Sequence, residues 1–357
     1  MKKNIIIPII IILFLPHSIY ASTTTASSYT LIDYETGRVI SAKNQNKTSL
    51  VASISKIMTA LIAIQSGKLD QEVTVDGTIL KAYGSCIYIE VGEKLTLRDL
   101  VYGLMLRSGN DAALMISKFV SGSEKEFVKQ MNEKAHKLGM KNSTFNNPSG
   151  LDETDGNYSS SYDMALLMRE ALKYEEFRKI TSTKKYKLKT NYKTYIWNNK
   201  NKLLANDFII GGKTGYTKKA GRTLVSAANI DNNTFIVVTI KDSDDWNTHL
   251  SLYDTIRGKY QKYTLLSKNN FNVENTFYKN KVYIKKSLTI PLTKEESQNI
   301  KLNIKLEEIK KPQNKSQIGT ANIILNNKTI YTQPIYYKKI SSKKPNFWQK
   351  IRSKLND

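Results

Sequence analysis

The spacing of apolar residues changes several times along the chain, and each change predicts a switch between strand and helix. Residues 29–34 and 38–42 alternate apolar and polar positions around a turn at 35–37, which predicts a hairpin. Apolar residues at helical spacing predict helices at 49–64, 95–120 (interrupted at 108–110), 124–138, 162–172 and 245–260. β-rich runs predict strands at 185–189, 209–215, 223–230 and 234–241. This order predicts an α+β fold, with a helical block inserted between an early hairpin and a late antiparallel sheet.

The chain beyond residue 270 follows a different pattern. The segment 263–275 is polar and rich in asparagine. Short alternating runs then predict strands at 281–285, 288–292, 300–306, 321–325 and 328–331. We therefore expect a first domain over residues 22–265, a small all-β domain over 270–337, and a basic tail over 338–357.

The amino terminus has the pattern of a secretory signal peptide. Lys2 and Lys3 precede an apolar run over 5–15, and the small residue Ala21 ends the segment. The run is shorter than the ~20 apolar residues that a transmembrane helix needs. We therefore expect a signal peptide over residues 1–21 and an exported protein. An uncleaved amino-terminal anchor is the alternative.

The net charge of +24 raises the question of an anionic partner. Nucleic acid is a common partner of strongly basic proteins, but an exported chain does not encounter it, so no nucleic acid is expected. Membrane headgroups and wall polymers are the anions available outside the cell. The alternative is that many lysines simply solvate the surface.

Cys86 is the single cysteine of the chain, so no intramolecular disulfide or cysteine-based metal site can form. A small, half-buried residue is a simpler interpretation of Cys86 than a catalytic nucleophile. The histidines form no cluster, and no metal or cofactor is expected.

Lys56 is the single charged residue in the apolar stretch SLVASISKIMTALIAI, residues 49–64. On a helix, Ser53 shares a face with Lys56, whereas Ser55 lies about 200° round from Ser53. A buried lysine at the start of a helix has a lowered pKa and can act as a base toward a serine hydroxyl. Two other Ser-x-x-Lys matches, Ser182–Lys185 and Ser341–Lys344, lie in polar segments without an apolar helix.

Two further motifs supply the rest of a candidate site. Ser108-Gly-Asn110 interrupts a helical region, and Lys213-Thr214-Gly215 lies on an apolar strand. The second is not a phosphate-binding Walker A loop, because Asp207 stands where that loop requires glycine. Gly215 leaves the strand edge free for close approach of a ligand, while Lys213 and Thr214 offer a cation and a hydroxyl to an anionic group.

These three motifs, in this order, resemble those of the low-molecular-mass penicillin-binding proteins, the serine D-alanyl-D-alanine carboxypeptidases. The segments LTLRDLVYGLMLRSGNDAA, NPSGLDETDGNYSSSYDMA and GGKTGYTKKAGRTLVSAA are similar to that family as well. The resemblance covers about 29–262. It implies a β-lactamase/transpeptidase-like domain followed by a small β-sandwich domain.

The resemblance also implies a role for each residue. Ser53 is the nucleophile, Lys56 the general base, and Ser108 the group that relays a proton to the leaving D-alanine. Asn110 holds the substrate amide, and Lys213, Thr214 and Gly215 form the strand that binds the terminal carboxylate. The backbone N–H groups of Ser53 and Tyr216 form the oxyanion hole.

The implied partners are peptidoglycan muropeptides as substrates and β-lactam antibiotics as acylating inhibitors, at the outer face of the cytoplasmic membrane or in the wall. A serine β-lactamase of the same fold is one alternative, but the chain has no Glu-x-x-Leu-Asn deacylation segment. A non-catalytic wall-binding protein is another, although Ser53 and Lys56 are both present. A Ser-His-Asp triad is not expected, since nothing couples His136 or His249 to Ser53.

The tail contains a further pattern. Phe347, Ile351 and Leu355 recur every four residues, with Trp348 beside them and basic residues between. This predicts a short basic amphipathic helix suited to an anionic membrane surface. The alternative is a frayed basic tail.

Overall fold

The computed structural model describes residues 24–273, 277–278 and 281–338. The predicted signal peptide and the predicted amphipathic tail helix lie outside these residues. Within them, no helix is long and apolar enough to cross a membrane.

The described helices and strands carry labels in chain order. The helices are α1 (Lys56–Gln65), α2 (Leu97–Tyr102), α3 (Asn110–Ser121), α4 (Glu124–Lys137), α5 (Ser161–Ala171), α6 (Glu175–Ser182), α7 (Asp245–Asp254) and α8 (Lys294–Asn299). The strands of the first domain are β1 (Ser28–Asp33), β2 (Val39–Lys43), β3 (Ser49–Leu50), β4 (Glu72–Thr74), β5 (Lys94–Thr96), β6 (Tyr158–Ser159), β7 (Lys185–Lys189), β8 (Thr194–Asn198), β9 (Ile209–Thr217), β10 (Gly221–Ile230) and β11 (Asn233–Ile240). The remaining strands are β12 (Gln261–Leu266), β13 (Val282–Tyr283), β14 (Leu288–Leu292), β15 (Ile300–Leu306), β16 (Gln317–Leu325) and β17 (Lys328–Tyr337).

A five-stranded antiparallel sheet, in the order β2-β1-β11-β10-β9, forms the centre of the first domain. Its inner strands are buried on both faces, because alternate residues point into different cores. Val225 and Ile236 face the helical block, whereas Leu224 and Phe235 face α7. The α+β architecture predicted from the sequence is therefore confirmed, and the early hairpin joins the late sheet through β1 and β11.

Helix α1 runs through the middle of the helical block, and all its residues from 56 to 64 are buried. A helix with apolar residues on every side is buried by other elements of the protein on all sides. The predicted helix at 49–64 was wrong at its start: β3 and a 3-10 turn over Ala52–Ser55 precede α1. Residues three apart eclipse one another in a 3-10 turn, so Ser53 still lies over Lys56.

Other boundaries also differ from those predicted. The region 95–120 is α2, a π-helical turn over Gly103–Arg107 and then α3, with Ser108 between them in the left-handed conformation (φ 67°). The last helix of the domain ends at Asp254 rather than at 260. Strands β4 and β8 and helix α6 were not predicted. Strand β4 and helix α6 are short and rich in charged or polar residues, whereas β8 has the alternating pattern TYIWN that is typical of a strand.

The second domain has its own apolar core and two small sheets, β12-β14 and β13-β17-β16-β15. Strand β12 begins at Gln261, before the segment predicted as polar, extends into that segment and pairs with β14. Arg38 joins the two domains: its guanidinium binds both carboxylate oxygens of Glu296, at 2.6 and 2.9 Å, and the carbonyl of Pro291. A bidentate pair of this kind fixes orientation as well as distance.

Candidate active site

The three predicted motifs meet at one end of β9. Ser53 and Lys56 come from the turn that begins α1, Ser108 and Asn110 from the junction before α3, and Lys213 to Tyr216 from β9 itself. A cleft of about 330 Å³ is lined by Ser53, Ser108, Thr214, Gly215 and Tyr216, among others. Lys56 contacts Ser53, Asn110 contacts Lys56, and Lys213 contacts Ser108. The fold thus brings all eight predicted site residues together around this cleft.

The amine of Lys56 is fully buried among oxygen atoms. Its Nζ lies 2.9 Å from Ser53 Oγ and 2.7 Å from Asn110 Oδ1, and it also donates to the backbone carbonyl of Ser149. The amide and carbonyl oxygens can only accept hydrogen bonds. They take up two N–H groups of Lys56, so that a neutral amine directs its lone pair at the hydroxyl of Ser53.

Burial lowers the pKa of Lys56 well below its ordinary value, and the nearby charges of Lys213 and Lys200 lower it further. Desolvation penalises the ammonium form, and a second cation adds repulsion. Both effects favour the neutral amine, which is the form able to accept a proton from Ser53.

A second lysine lies beneath the other side of the cleft. Lys213 Nζ donates to Ser108 Oγ at 3.1 Å and to the carbonyl of Thr214 at 2.8 Å. Burial lowers the pKa of Lys213 to about 7, with a further contribution from Lys200. Two buried lysines thus each contact one serine hydroxyl, and their pKa values are both reduced.

Gly215 allows β9 to pack against the turn that carries Ser53. A Cβ at this position would lie 2.4 Å from Thr223 Oγ1 and 3.0 Å from the backbone nitrogens of Ser53 and Ile54. We predicted that glycine keeps the strand edge clear for a ligand. In the structure the missing side chain also leaves room for the backbone nitrogens of the Ser53 turn, and Gly215 and Ser53 both line the cleft.

The carbonyl of Ser149 could not be predicted from the sequence, because a backbone oxygen has no residue-type signal. The loop that carries it is held by Asn147, whose Oδ1 accepts from the N–H groups of Ser149 and Gly150. Gly150 has φ +79°, and a side chain there would collide with the carbonyl of Ala52. Only glycine lets this loop approach the Ser53 turn closely enough for its carbonyl to reach Lys56.

Several cleft residues lie outside the predicted motifs. Lys200 donates to Ser85 Oγ at 3.3 Å, and both line the cleft. Arg222 also lines the cleft, where it binds Asp245 Oδ1, and its guanidinium carbon lies 5.5 Å from the ring centroid of Trp246. These residues are scattered along the chain, so the sequence shows no spacing that would group them.

His249, on α7, forms part of the core between the sheet and that helix. It is fully buried, with Nδ1 2.7 Å from Ser226 Oγ and Nε2 3.2 Å from Thr239 Oγ1. Burial lowers its pKa to about 3, so it stays neutral. Its contacts are those of a structural histidine.

Two families match consecutive parts of the chain. The family described as D-alanyl-D-alanine carboxypeptidase matches residues 16–244, and the family described as penicillin-binding protein 5, C-terminal domain, matches residues 260–341. The two matches follow the division into a mixed domain and a β domain.

Curated relatives and solved structures agree with these matches. The chain is 34% identical to D-alanyl-D-alanine carboxypeptidase DacF of Bacillus subtilis over 350 residues, 93% of this chain and 90% of that protein. It is 32% identical to D-alanyl-D-alanine carboxypeptidase DacD of Escherichia coli, over 61% of this chain and 58% of that protein. Penicillin-binding protein 5 of Haemophilus influenzae superposes with a TM-score of 0.73 at 26% identity, over 88% of this chain and 97% of that one. A serine-to-alanine mutant of the Streptomyces K15 DD-transpeptidase gives a TM-score of 0.62 at 29% identity, over 65% of this chain and 98% of that one.

The lowered pKa of Lys213 predicts how stability depends on pH. Folding weakens proton binding at this lysine, so between about pH 7 and pH 10 the unfolded chain holds more protons and the free energy of unfolding rises with pH. The free energy of unfolding of the native protein should therefore rise by about 2–3 kcal/mol more than that of Lys213→Met between about pH 7 and pH 9.5. Urea unfolding at a series of pH values measures this difference. Lys187→Met, on an exposed position of β7, controls for loss of a lysine. Parallel curves for the native protein and Lys213→Met would contradict the assignment.

Proposed function

The chain belongs to the D-alanyl-D-alanine carboxypeptidase family, and on this premise we propose that it removes the terminal D-alanine from peptidoglycan stem pentapeptides through an acyl-enzyme on Ser53. The observation that carries the proposal is the contact of 2.9 Å between Lys56 Nζ and Ser53 Oγ, in a site where the other partners of the amine are carbonyl oxygens. The family comparisons favour this serine hydrolase over the β-lactamase and the non-catalytic wall-binding protein.

In the proposed acylation step, neutral Lys56 takes the proton of Ser53 while Oγ attacks the carbonyl carbon of the penultimate D-alanine. The negative charge that develops on the carbonyl oxygen is stabilised by the backbone N–H groups of Ser53 and Tyr216. The close packing of Gly215 against the Ser53 turn supports this role, because it places strand and turn donors beside one cleft.

Ser108 relays a proton to the nitrogen of the leaving D-alanine as the C–N bond breaks. The proton that the leaving nitrogen gains balances the one that Lys56 took from Ser53. Lys213 donates a hydrogen bond to the Ser108 hydroxyl and keeps its own proton, so its positive charge stays near the terminal carboxylate. A bound carboxylate favours the ammonium form of Lys213, and Lys213⁺ in turn keeps Lys56 neutral. Thr214 provides a hydroxyl for the same carboxylate, and Asn110 holds the substrate amide while orienting Lys56.

Water then cleaves the ester and releases the peptide shortened by one D-alanine. A β-lactam ring is opened by the same attack of Ser53, and the product is an acyl-enzyme that hydrolyses slowly. Penicillin is therefore expected to inhibit the protein by occupying Ser53.

Replacement of the nucleophile is the direct test of the proposed reaction. Ser53→Ala should lower D-alanine release from a pentapeptide by at least about 10³-fold, because no group replaces the attacking oxygen. Mass analysis of muropeptide products measures it. Ser182→Ala is the matched control. Ser182 is exposed at the end of α6 and begins another Ser-x-x-Lys match, so this variant should retain full activity. Unchanged D-alanine release by Ser53→Ala would contradict the proposal.

We also propose that the protein is exported by the signal peptide over 1–21 and acts at the outer face of the cytoplasmic membrane, bound by the basic tail. The amphipathic spacing of Phe347, Ile351 and Leu355 supports the membrane contact. Export agrees with a peptidoglycan substrate, which lies outside the cytoplasm.

Deletion of residues 343–357 tests the anchor. It should move most of the protein from the membrane fraction to the soluble fraction, because the apolar face of the predicted helix is removed. The control is the full chain after a high-salt wash, which should stay with the membrane through its apolar contacts. An unchanged distribution after the deletion would contradict the proposed anchor.

A further inference from the structure

A pocket of about 430 Å³ lies in the second domain and shares no residue with the catalytic cleft. It is lined by Lys268, Tyr283, Ile284, Asn314, Lys315 and Lys338. Ile284 and Tyr283 form an apolar wall of the pocket. Ile284 is fully buried, and the ring of Tyr283 packs against that of Tyr336, with 5.7 Å between ring centroids. Three lysines surround it, and none of the six lining residues is acidic. The volume is within the usual range of small-molecule sites, about 300–1,000 Å³.

The backbone at each of the three lysines is held in place. Lys268 N–H donates to Ser287 Oγ, Lys315 N–H to the carbonyl of Tyr337, and Lys338 N–H to the carbonyl of Lys281. Lys315 also has φ +66°, a left-handed conformation that glycine or asparagine adopts at lower cost. The fold thus holds the long cationic side chain of Lys315 on a backbone conformation that is unfavourable for lysine.

The surroundings of the pocket are basic as well. Lys285 Nζ lies 3.9 Å from the ring centroid of Tyr336, next to the Tyr283 wall. Like charges grouped in this way repel one another, and an anion that binds among them relieves the repulsion. An apolar wall beside a cationic rim matches an amphiphile with an anionic head.

The position of the pocket relative to the tail narrows the choice of ligand. Lys338 is the last described residue and belongs to the rim, so the predicted membrane-binding tail begins at the pocket itself. The tail over 339–357 carries six lysine or arginine residues and one acid, so its charge has the same sign as the rim and it is a poor occupant.

We propose that this pocket binds the phosphate headgroup of an anionic membrane lipid. The three lysines contact the phosphate, while the apolar wall contacts the adjoining glycerol and alkyl carbons. Together with the tail, the site gives the second domain two points of attachment to one bilayer. Two linked attachments bind more tightly than either alone and restrict how the protein turns on the surface.

Vesicle binding by the full mature chain tests the proposal. Lys268→Gln/Lys315→Gln/Lys338→Gln is compared with the matched control Lys301→Gln/Lys305→Gln/Lys328→Gln, which removes the same charge from exposed positions elsewhere in the second domain. The pocket variant should bind phosphatidylglycerol-containing vesicles about ten-fold or more weakly than the native chain. The control variant should lose less than about three-fold, and all three proteins should bind pure phosphatidylcholine equally.

A second variant separates the pocket from the tail. Lys268→Gln/Lys315→Gln leaves the tail junction intact and should still weaken binding to anionic vesicles, with an unchanged unfolding temperature. Equal losses in the pocket and control variants would overturn the proposal in favour of general surface charge. If soluble glycerol phosphate raises the unfolding temperature of the native chain while vesicle binding is the same in all variants, the ligand is a free phosphate and the lipid assignment is overturned. None of these readouts depends on D-alanine release.

Discussion

The amine of Lys56 is fully buried, and its oxygen partners decide what it can do. Two of them are carbonyl-type oxygens, from Asn110 and the Ser149 backbone, and the third is the hydroxyl of Ser53. An ammonium ion would satisfy all three contacts but would leave a buried charge with no carboxylate among those partners, which is costly. A neutral amine satisfies two contacts as a donor and the third as an acceptor. The same burial that makes this lysine expensive to keep charged therefore prepares it as a base.

Much of the first domain supports that arrangement. Helix α1 is enclosed by the helical block, so Lys56 cannot turn toward solvent. The loop at 147–157 is pinned by its own asparagines, and Gly150 brings it against the Ser53 turn. Gly215 brings β9 against the same turn from the other side. Lys213 lies close enough to disfavour a proton on Lys56, and burial lowers the pKa of Lys213 itself to about 7.

The sequence predicted those parts of the fold that have a strong period or a distinctive residue type. The late sheet, the early hairpin and the all-β second domain followed from apolar alternation, and helical spacing chose Ser53 over Ser55. The start of α1 was predicted too early. The short strand β3 and the 3-10 turn that precede α1 are also rich in apolar residues, so the apolar pattern does not mark the boundary. Helix α6 was missed because a short element rich in charged residues depends on tertiary packing, whereas β8 was missed although its sequence TYIWN alternates as a strand does. In the site, the side chains could be predicted from motifs, whereas the Ser149 carbonyl and the Arg222–Trp246 wall exist only once the chain is folded.

The protonation state of Lys56 is the central claim, and NMR titration of the lysine side chains measures it directly. Selective ¹³C labelling at lysine Cε follows each amine, and the signal that disappears in Lys56→Arg identifies the residue. We predict that this signal titrates well below the ordinary lysine pKa of 10.5, and that Lys213→Met moves its pKa upward because a neighbouring cation is removed. A Lys56 signal that titrates at the ordinary lysine value, unaffected by loss of Lys213, would contradict the assignment of Lys56 as the neutral base.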